Sequence, residues 1–288
     1  MVKIIAEIGC NYQGYFSKAL EMINVACNFC NVDIVKFQKR DPKTLLSEEE
    51  FTSLHPVPEN SFGNTYGEHR EFLESSTKEH KLFRNECEKF NKQYSTSVWD
   101  IVSAKEIIKF DPSFLKIPSA LNQDYKLLDC IYDNFNNDIH ISLGMTSKIE
   151  EEELINFISN KNGLQRTVLY SCTSAYPVKQ PEDIALLEIA RLKKEYGKII
   201  KAVGFSGHHL GIAIDIAAVT LGAEYIERHF TLDRTLKGTD HAASLEPYGL
   251  RKLCRDVSLV KKSLVHKGEE LLKIEIDQRK KLKKITTV

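Results

Sequence analysis

The 288-residue sequence predicts an α/β protein, a single-domain (β/α)8 TIM barrel. Three observations point there. Eight short apolar runs punctuate the chain, longer helix-like stretches separate them, and the length suits one closed barrel of eight βα units. An open, doubly wound sheet is the runner-up; it needs no closure and fewer strands.

The elements follow in order. Lys3–Ile8 is the first strand, because Glu7 interrupts the apolar stretch that a signal peptide would need. Ser17–Phe29 is a helix, with Leu20, Ile23, Ala26 and Cys27 on one face. Ile34–Phe37 is strand two. The long connection 39–68 follows, holding Pro42, Pro56, Pro58 and Gly63 with little periodicity. A βα loop of that length is more often functional than idle, and in a barrel it lies over the mouth of the site. Strands three to eight are Tyr94–Val98, Phe114–Ile117, Ile139–Leu143, Thr167–Cys172, Lys201–Phe205 and Tyr225–His229. Leu250, Leu253, Val257, Val260 and Leu264 recur by threes and fours in the last clear helix. The barrel is expected over 1–266, and 267–288 is a charged tail with no second domain in it.

Lys+Arg and Asp+Glu are 40 each. This balance argues against nucleic acid or an anionic membrane as partner, and no apolar run is long enough to cross a bilayer. The cysteines number 7, an odd count. They are scattered, mostly in apolar contexts (Cys27, Cys87, Cys130, Cys172, Cys254), as expected of free thiols in a reducing cytoplasm. Cys27 and Cys30 have CxxC spacing. No second pair completes a zinc site, so they are expected as two core positions at a helix end.

In a barrel, chemistry gathers at the C-terminal ends of the strands. Those positions carry Glu7, Asn11 and Gln13; Lys36 and Gln38; Thr96 and Ser97; Lys116 and Ser119; Ser142; Thr173, Ser174 and Tyr176; Ser206 and His208; and His229. The set holds two lysines, many small hydroxyls and two histidines, and looks short of acids. Lysines and hydroxyls around one point suit a phosphate or carboxylate anion, and Gly144 and Gly207 would let backbone N–H groups approach it. His208 and His229, at adjacent strand tips, suit a divalent metal with open positions. An anion bearing phosphate and carboxylate beside a polarised carbonyl describes phosphoenolpyruvate meeting an aldehyde. Other readings stay open: a Schiff-base lysine, a lysine merely paired with Glu7, or histidines that cap or fill the core. His55, His80, His140, His209 and His266 have no comparable context and are expected on the surface.

Seven motifs resemble the sialic acid synthase family, the N-acetylneuraminate synthases and their 9-phosphate-forming relatives. They are Ala6-Glu7-Ile8-Gly9, Val35-Lys36-Phe37-Gln38, Thr65-Tyr66-Gly67-Glu68-His69, Cys172-Thr173-Ser174-Ala175-Tyr176-Pro177, Gly204-Phe205-Ser206-Gly207-His208, Glu227-Arg228-His229-Phe230-Thr231-Leu232-Asp233 and the run from Gly238 to Pro247. The resemblance implies a barrel that condenses phosphoenolpyruvate with an aldose, N-acetylmannosamine or its 6-phosphate, and releases phosphate. His208 and His229 would hold the metal, Mn²⁺ or alternatively Mg²⁺ or Co²⁺, with Gln13 near it. Lys36, Ser97, Lys116, Ser119, Ser142, Ser174 and Ser206 would bind phosphoenolpyruvate. Gln38, Tyr176 and Asp240 would contact the sugar. A cytoplasmic homodimer is implied as well.

The sequence departs from the family pattern at four places. Tyr12 stands where histidine is usual, Pro118 stands for a glycine, and Ala120-Leu121 replaces a glycine and an acid that helps read the acceptor. The tail 267–288 is expected to hold no counterpart of the family's small antifreeze-like domain, the fourth departure. The alternatives are a related keto-sugar-acid synthase with another acceptor, including legionaminic- or pseudaminic-type precursors, and a catalytically silent sugar-binding paralogue.

Overall fold

The computed structural model describes residues 2–284; Met1 and the end of the predicted tail, 285–288, lie outside the described residues. Eight strands close into a barrel in chain order: β1 (Lys3–Gly9), β2 (Ile34–Lys39), β3 (Gln93–Val98), β4 (Phe114–Ile117), β5 (Asp138–Ser142), β6 (Thr167–Cys172), β7 (Ala202–Gly207) and β8 (Tyr225–His229). All neighbours are parallel, including β1 with β8. The expected bounds of β4, β6 and β8 coincide with these; β1, β2 and β3 shift by one or two residues at one end, and β5 and β7 at both ends.

Alternation along each strand sends one set of side chains inward and the other toward the helices. Ile5, Ile34, Phe114, Val168, Tyr170 and Ala202 form a separate apolar plug. The larger core packs strands against helices and includes Ile4, Val35, Ile117, Val203 and Ile226. The plug matters for function: it is the dry base beneath the polar residues at the C-terminal strand ends. In the register there, Glu7 faces Lys36, Ser97 faces Lys116 and Ser206 faces Glu227.

The first helix is Phe16–Asn24, continued by a π turn over Val25–Phe29. Cys27 and Cys30 are both buried and unbridged, and Cys30 Sγ donates to the Pro247 carbonyl at 3.3 Å. The CxxC spacing is thus core packing. The long connection after β2 is less irregular than expected. It folds into short helices at Pro42–Leu45 and Glu48–Thr52 and a 3₁₀ turn at Pro58–Asn60. Helices this short show no apolar period; their readable signal is the cap, here the reciprocal Ser47–Glu50 box. The helix Tyr66–Leu73 closes the segment.

The last long helix, Pro247–Ser263, buries Leu250, Leu253 and Val257. Beyond it the charged tail carries an exposed helix at Ile276–Leu282. Among the described residues, no helix is long and apolar enough to cross a membrane.

Four histidines expected on the surface are buried, and only His266 is exposed. His80 Nδ1 meets Tyr94 Oη at 2.6 Å, and His140 Nδ1 meets Tyr170 Oη at 2.8 Å. His209 lies behind β8, where Arg228 Nη1 contacts its Nε2 at 3.0 Å and pairs with Asp215. His55 lines the barrel mouth. A polar residue type in isolation does not reveal that a buried partner awaits it.

Candidate active site

A cavity of about 660 Å³ opens at the C-terminal ends of the strands. Its lining includes Lys36, Gln38, Ser97, Lys116, Ser119, Ser142, Ser174, Tyr176, Ser206, His208, His229 and Asp240. Every one of these was a candidate on sequence. Gln13 is not in the lining. Its Nε2 donates to the Lys237 carbonyl at 2.7 Å and its Oε1 accepts from Lys18 at 2.6 Å, so its amide holds loops together. Thr96 is buried outside the lining, and Thr173 turns its hydroxyl to the Asp183 carbonyl at 2.7 Å.

The floor corrects the expectation that acids are scarce. Lys36 pairs with Glu7, lies 3.8 Å from Glu227 and donates to Ser97 Oγ at 2.7 Å. Lys116 lies 3.4 Å from Glu227, and its ammonium sits 3.4 Å from the Tyr170 ring centre. Glu227 also accepts from Ser206 at 3.1 Å, and Glu7 from Gln38 at 3.1 Å. Glu227 was legible: it shares the inward face of β8 with His229, two residues on.

The floor is strongly desolvated, and the charges resolve unequally. Burial opposes ionisation of Glu227, but Lys116 and Lys36 outweigh it and hold the carboxyl at about 2. Burial dominates at Glu7, which is pushed up to about 7 against the pull of Lys36. Burial also brings Lys116 down to about 8, against the pull of Glu227.

Beside the lysines, hydroxyls close on a glycine. A Cβ at Gly144 would lie 2.4 Å from Ser174 Oγ and 2.6 Å from Ser119 Oγ. Ser119 Oγ accepts from the Gly144 N–H at 3.1 Å, while the buried Ser174 Oγ has no hydrogen-bond partner among the described residues. A cradle with an unanswered donor next to ammonium groups suits an anion. Gly207 does not share this role. A Cβ there would strike His209 and Phe205 at 2.8 Å, so its smallness serves packing behind β7. Cys172, expected in an apolar setting, lines the cavity instead, and its Sγ lies 3.7 Å from Ser119 Oγ.

At the mouth, the rings of His208 and His229 stand 5.4 Å apart, with the Tyr176 ring 4.1 Å from the first and 5.8 Å from the second. His208 Nδ1 donates to the Thr173 carbonyl at 2.9 Å, which leaves Nε2 as the lone-pair nitrogen. His229 Nδ1 is buried without a hydrogen-bond partner among the described residues, and Asp240 Oδ2 lies 3.9 Å away. Two imidazoles with free donor atoms could hold a metal that keeps open positions. Among the described residues, no group of three or more His, Cys, Asp or Glu makes a closed metal site.

The outer wall is largely the β2 connection, as its length suggested. It brings Arg40, His55, Asn60, Phe62, His69 and Arg70 to the cavity. Arg40 is buried, pairs with Glu74 at 3.6 Å, stacks 4.6 Å from the Trp99 ring and donates to Gln38. None of these was named as a site residue; Arg40, His55 and Phe62 sit in loop positions with no period from which to read facing, Asn60 ends a 3₁₀ turn, and His69 and Arg70 sit on the short helix Tyr66–Leu73.

A model described as the NeuB family matches residues 22–269. N-acetylneuraminate-9-phosphate synthase from Homo sapiens is 36% identical over 98% of this chain and 76% of its own length. N,N'-diacetyllegionaminic acid synthase from Campylobacter jejuni is 32% identical over 97% of this chain and 81% of its own. The crystal structure of N-acetylneuraminic acid synthetase from Leptospira borgpetersenii in complex with citrate superposes with a TM-score of 0.80 at 29% identity, covering 98% of this chain and 92% of that one.

Proposed function

The chain belongs to the NeuB family and is an N-acetylneuraminate synthase-like enzyme, and from this premise we propose that it condenses phosphoenolpyruvate with an N-acetylmannosamine-type aldose. The products are a nonulosonic acid and inorganic phosphate. The observation that carries the reading is the buried Lys36 and Lys116, both beside Glu227, lining one cavity with Ser119 and Ser174 of the hydroxyl cradle and with the imidazoles of His208 and His229.

Lys36, Lys116, Ser119 and Ser174 bind the phosphate and carboxylate of phosphoenolpyruvate, with Ser97, Ser142 and Ser206 completing the ring of hydroxyls. Gln38, Tyr176 and Asp240 orient the open-chain sugar above it. His208 and His229 would hold a divalent metal, Mn²⁺ in the first instance, which would supply Lewis acidity toward the aldehyde oxygen. C3 of the enol attacks the aldehyde carbon, and water adds at C2. The resulting hemiketal phosphate collapses by C–O cleavage. The lysines hold the anionic groups fixed as charge shifts toward the phosphate, and the cavity holds the two reacting carbons in attack geometry. On the floor, Glu227 stays ionised between the lysines. Burial leaves Glu7 as the acid able to hold or release a proton near neutral pH. The free thiols agree with a cytoplasmic setting, and a homodimer is part of the same reading.

The test is phosphate release from phosphoenolpyruvate with Mn²⁺, across acceptors that include N-acetylmannosamine and its 6-phosphate. Release that needs both metal and acceptor supports the proposal. Bound Mn²⁺ with no release from any acceptor refutes it.

A further inference from the structure

Lys116 shares its counter-charge. Among the described residues its carboxylate partner is Glu227 at 3.4 Å, and that carboxylate also lies 3.8 Å from Lys36 and accepts from Ser206 at 3.1 Å. The ammonium has a second neighbour of another kind. The centre of the Tyr170 ring lies 3.4 Å from Nζ, and both residues are fully buried. An aromatic face attracts a cation, most strongly where water is excluded.

The ring is fixed independently of Lys116. Tyr170 belongs to the apolar plug, and its hydroxyl meets His140 Nδ1 at 2.8 Å. His140 is stacked in turn on Phe114, with 3.7 Å between ring centres. On β7 the ring lies against the backbone at Gly204, where a Cβ would come 2.5 Å from Tyr170 Cε1 and 2.6 Å from Cδ1. A larger residue there would push the ring out of place. Burial, and then Lys116, hold His140 well below the ordinary histidine range, so the stack stays neutral.

A neutral seat matters at an anion site. A second carboxylate would hold Lys116 but would repel an incoming phosphate or carboxylate. A π face attracts the ammonium without cancelling its charge. We propose that Tyr170 is a positioning residue of the anion-binding floor: its ring seats the Lys116 ammonium, in charged form, for the anionic substrate. The inference rests on the phosphoenolpyruvate reading above and extends the site into a residue that the cavity lining does not include. The charged and titratable groups around Lys116 are Glu227 on β8, Lys36 on β2 paired with Glu7 on β1, Cys172 and Tyr170 on β6, and His140 opposite it on β5; β3 places Ser97 opposite it.

The experiment leaves those neighbours in place and alters only the ring. Y170F is the reference, and the same position then takes mono-, di- and trifluorinated phenylalanine. Each fluorine weakens the negative face of the ring while its volume stays nearly constant. Calorimetry reads phosphoenolpyruvate affinity at neutral pH. NMR of protein carrying isotope-labelled lysine reads the titration of Lys116, assigned with K116M, and thermal melts check folding. The ring favours the charged ammonium, so weakening it lowers the pH at which Lys116 loses its proton. Affinity should fall stepwise, by about 10-fold from Y170F to the trifluorinated ring, and the titration should move down by about one pH unit over the same series. Y170L, which removes the face outright, should fall at least as far. Affinity and titration unmoved across the series overturn the proposal, since a ring that only fills space tolerates fluorine. Affinity that falls while the titration stays put also overturns it, because the ring then acts through packing. A titration that moves while phosphoenolpyruvate binds equally well removes Tyr170 from substrate binding. If the wild type binds no phosphoenolpyruvate yet the titration moves, the seat for Lys116 stands and the phosphoenolpyruvate reading falls.

Discussion

Replacing Gly144 by alanine tests the anion cradle directly. The added Cβ would lie 2.4 Å from Ser174 Oγ and 2.6 Å from Ser119 Oγ, with Ser119 Cβ at 3.1 Å. Both hydroxyls must turn away. The displaced atoms are mostly side-chain ends, so the fold should lose only about 1 kcal/mol, the low end of overpacking. Phosphoenolpyruvate should lose much more. Two hydrogen bonds to a charged group, at about 1.5 kcal/mol each, sum to about 3 kcal/mol, or roughly 150-fold in affinity. Calorimetric titration with phosphoenolpyruvate measures this, with a thermal melt as control. A second route removes the same donors without adding bulk: S119A/S174A should weaken binding comparably, and adding G144A to it should change little more, because the three sites act as one unit. An affinity for G144A within about threefold of wild type, with the melt unchanged, would refute the cradle.

Three further outcomes are expected. Burial lowers Lys116 to about 8, so in the free enzyme its positive charge is lost as pH rises through that value; kcat/KM for phosphoenolpyruvate should fall on the alkaline side near pH 8, and K116M should remove that limb. A wild-type profile flat to pH 10 would exclude the role. H229A should lose Mn²⁺ binding by calorimetry or electron paramagnetic resonance while keeping its melting temperature, and unchanged Mn²⁺ affinity would take His229 out of the metal site. D215N strips the buried Arg228 of its ionised partner behind β8. It should destabilise by about 3 kcal/mol or more in denaturant titration, and a loss below about 1 kcal/mol would show the pair to be dispensable.

What sequence reasoning missed has a common cause. Glu227, His140, His80 and His209 are polar residues whose burial depends on partners far along the chain: Lys116, Tyr170, Tyr94 and Arg228. Glu227 alone could have been found by extending the inward face of β8 one step back from His229. Arg40 and Lys237 sit in connections where no period reports which way a side chain faces, and Arg70 sits on the short helix Tyr66–Leu73. Gln13 shows the converse. Its position after β1 is as expected, but its amide is spent on Lys18 and the Lys237 carbonyl, a choice that only the packed loops make.

By itself the sequence determined the barrel and the ring of residues at its C-terminal end. Strand alternation and βα spacing are local properties, and parallel closure sends every strand end to one face. Only the tertiary structure decided how those residues are charged and what they are set against. Desolvation by the apolar plug and the pairing of two lysines with two glutamates from different strands both depend on distances between residues remote in the chain. A one-dimensional pattern does not carry those distances.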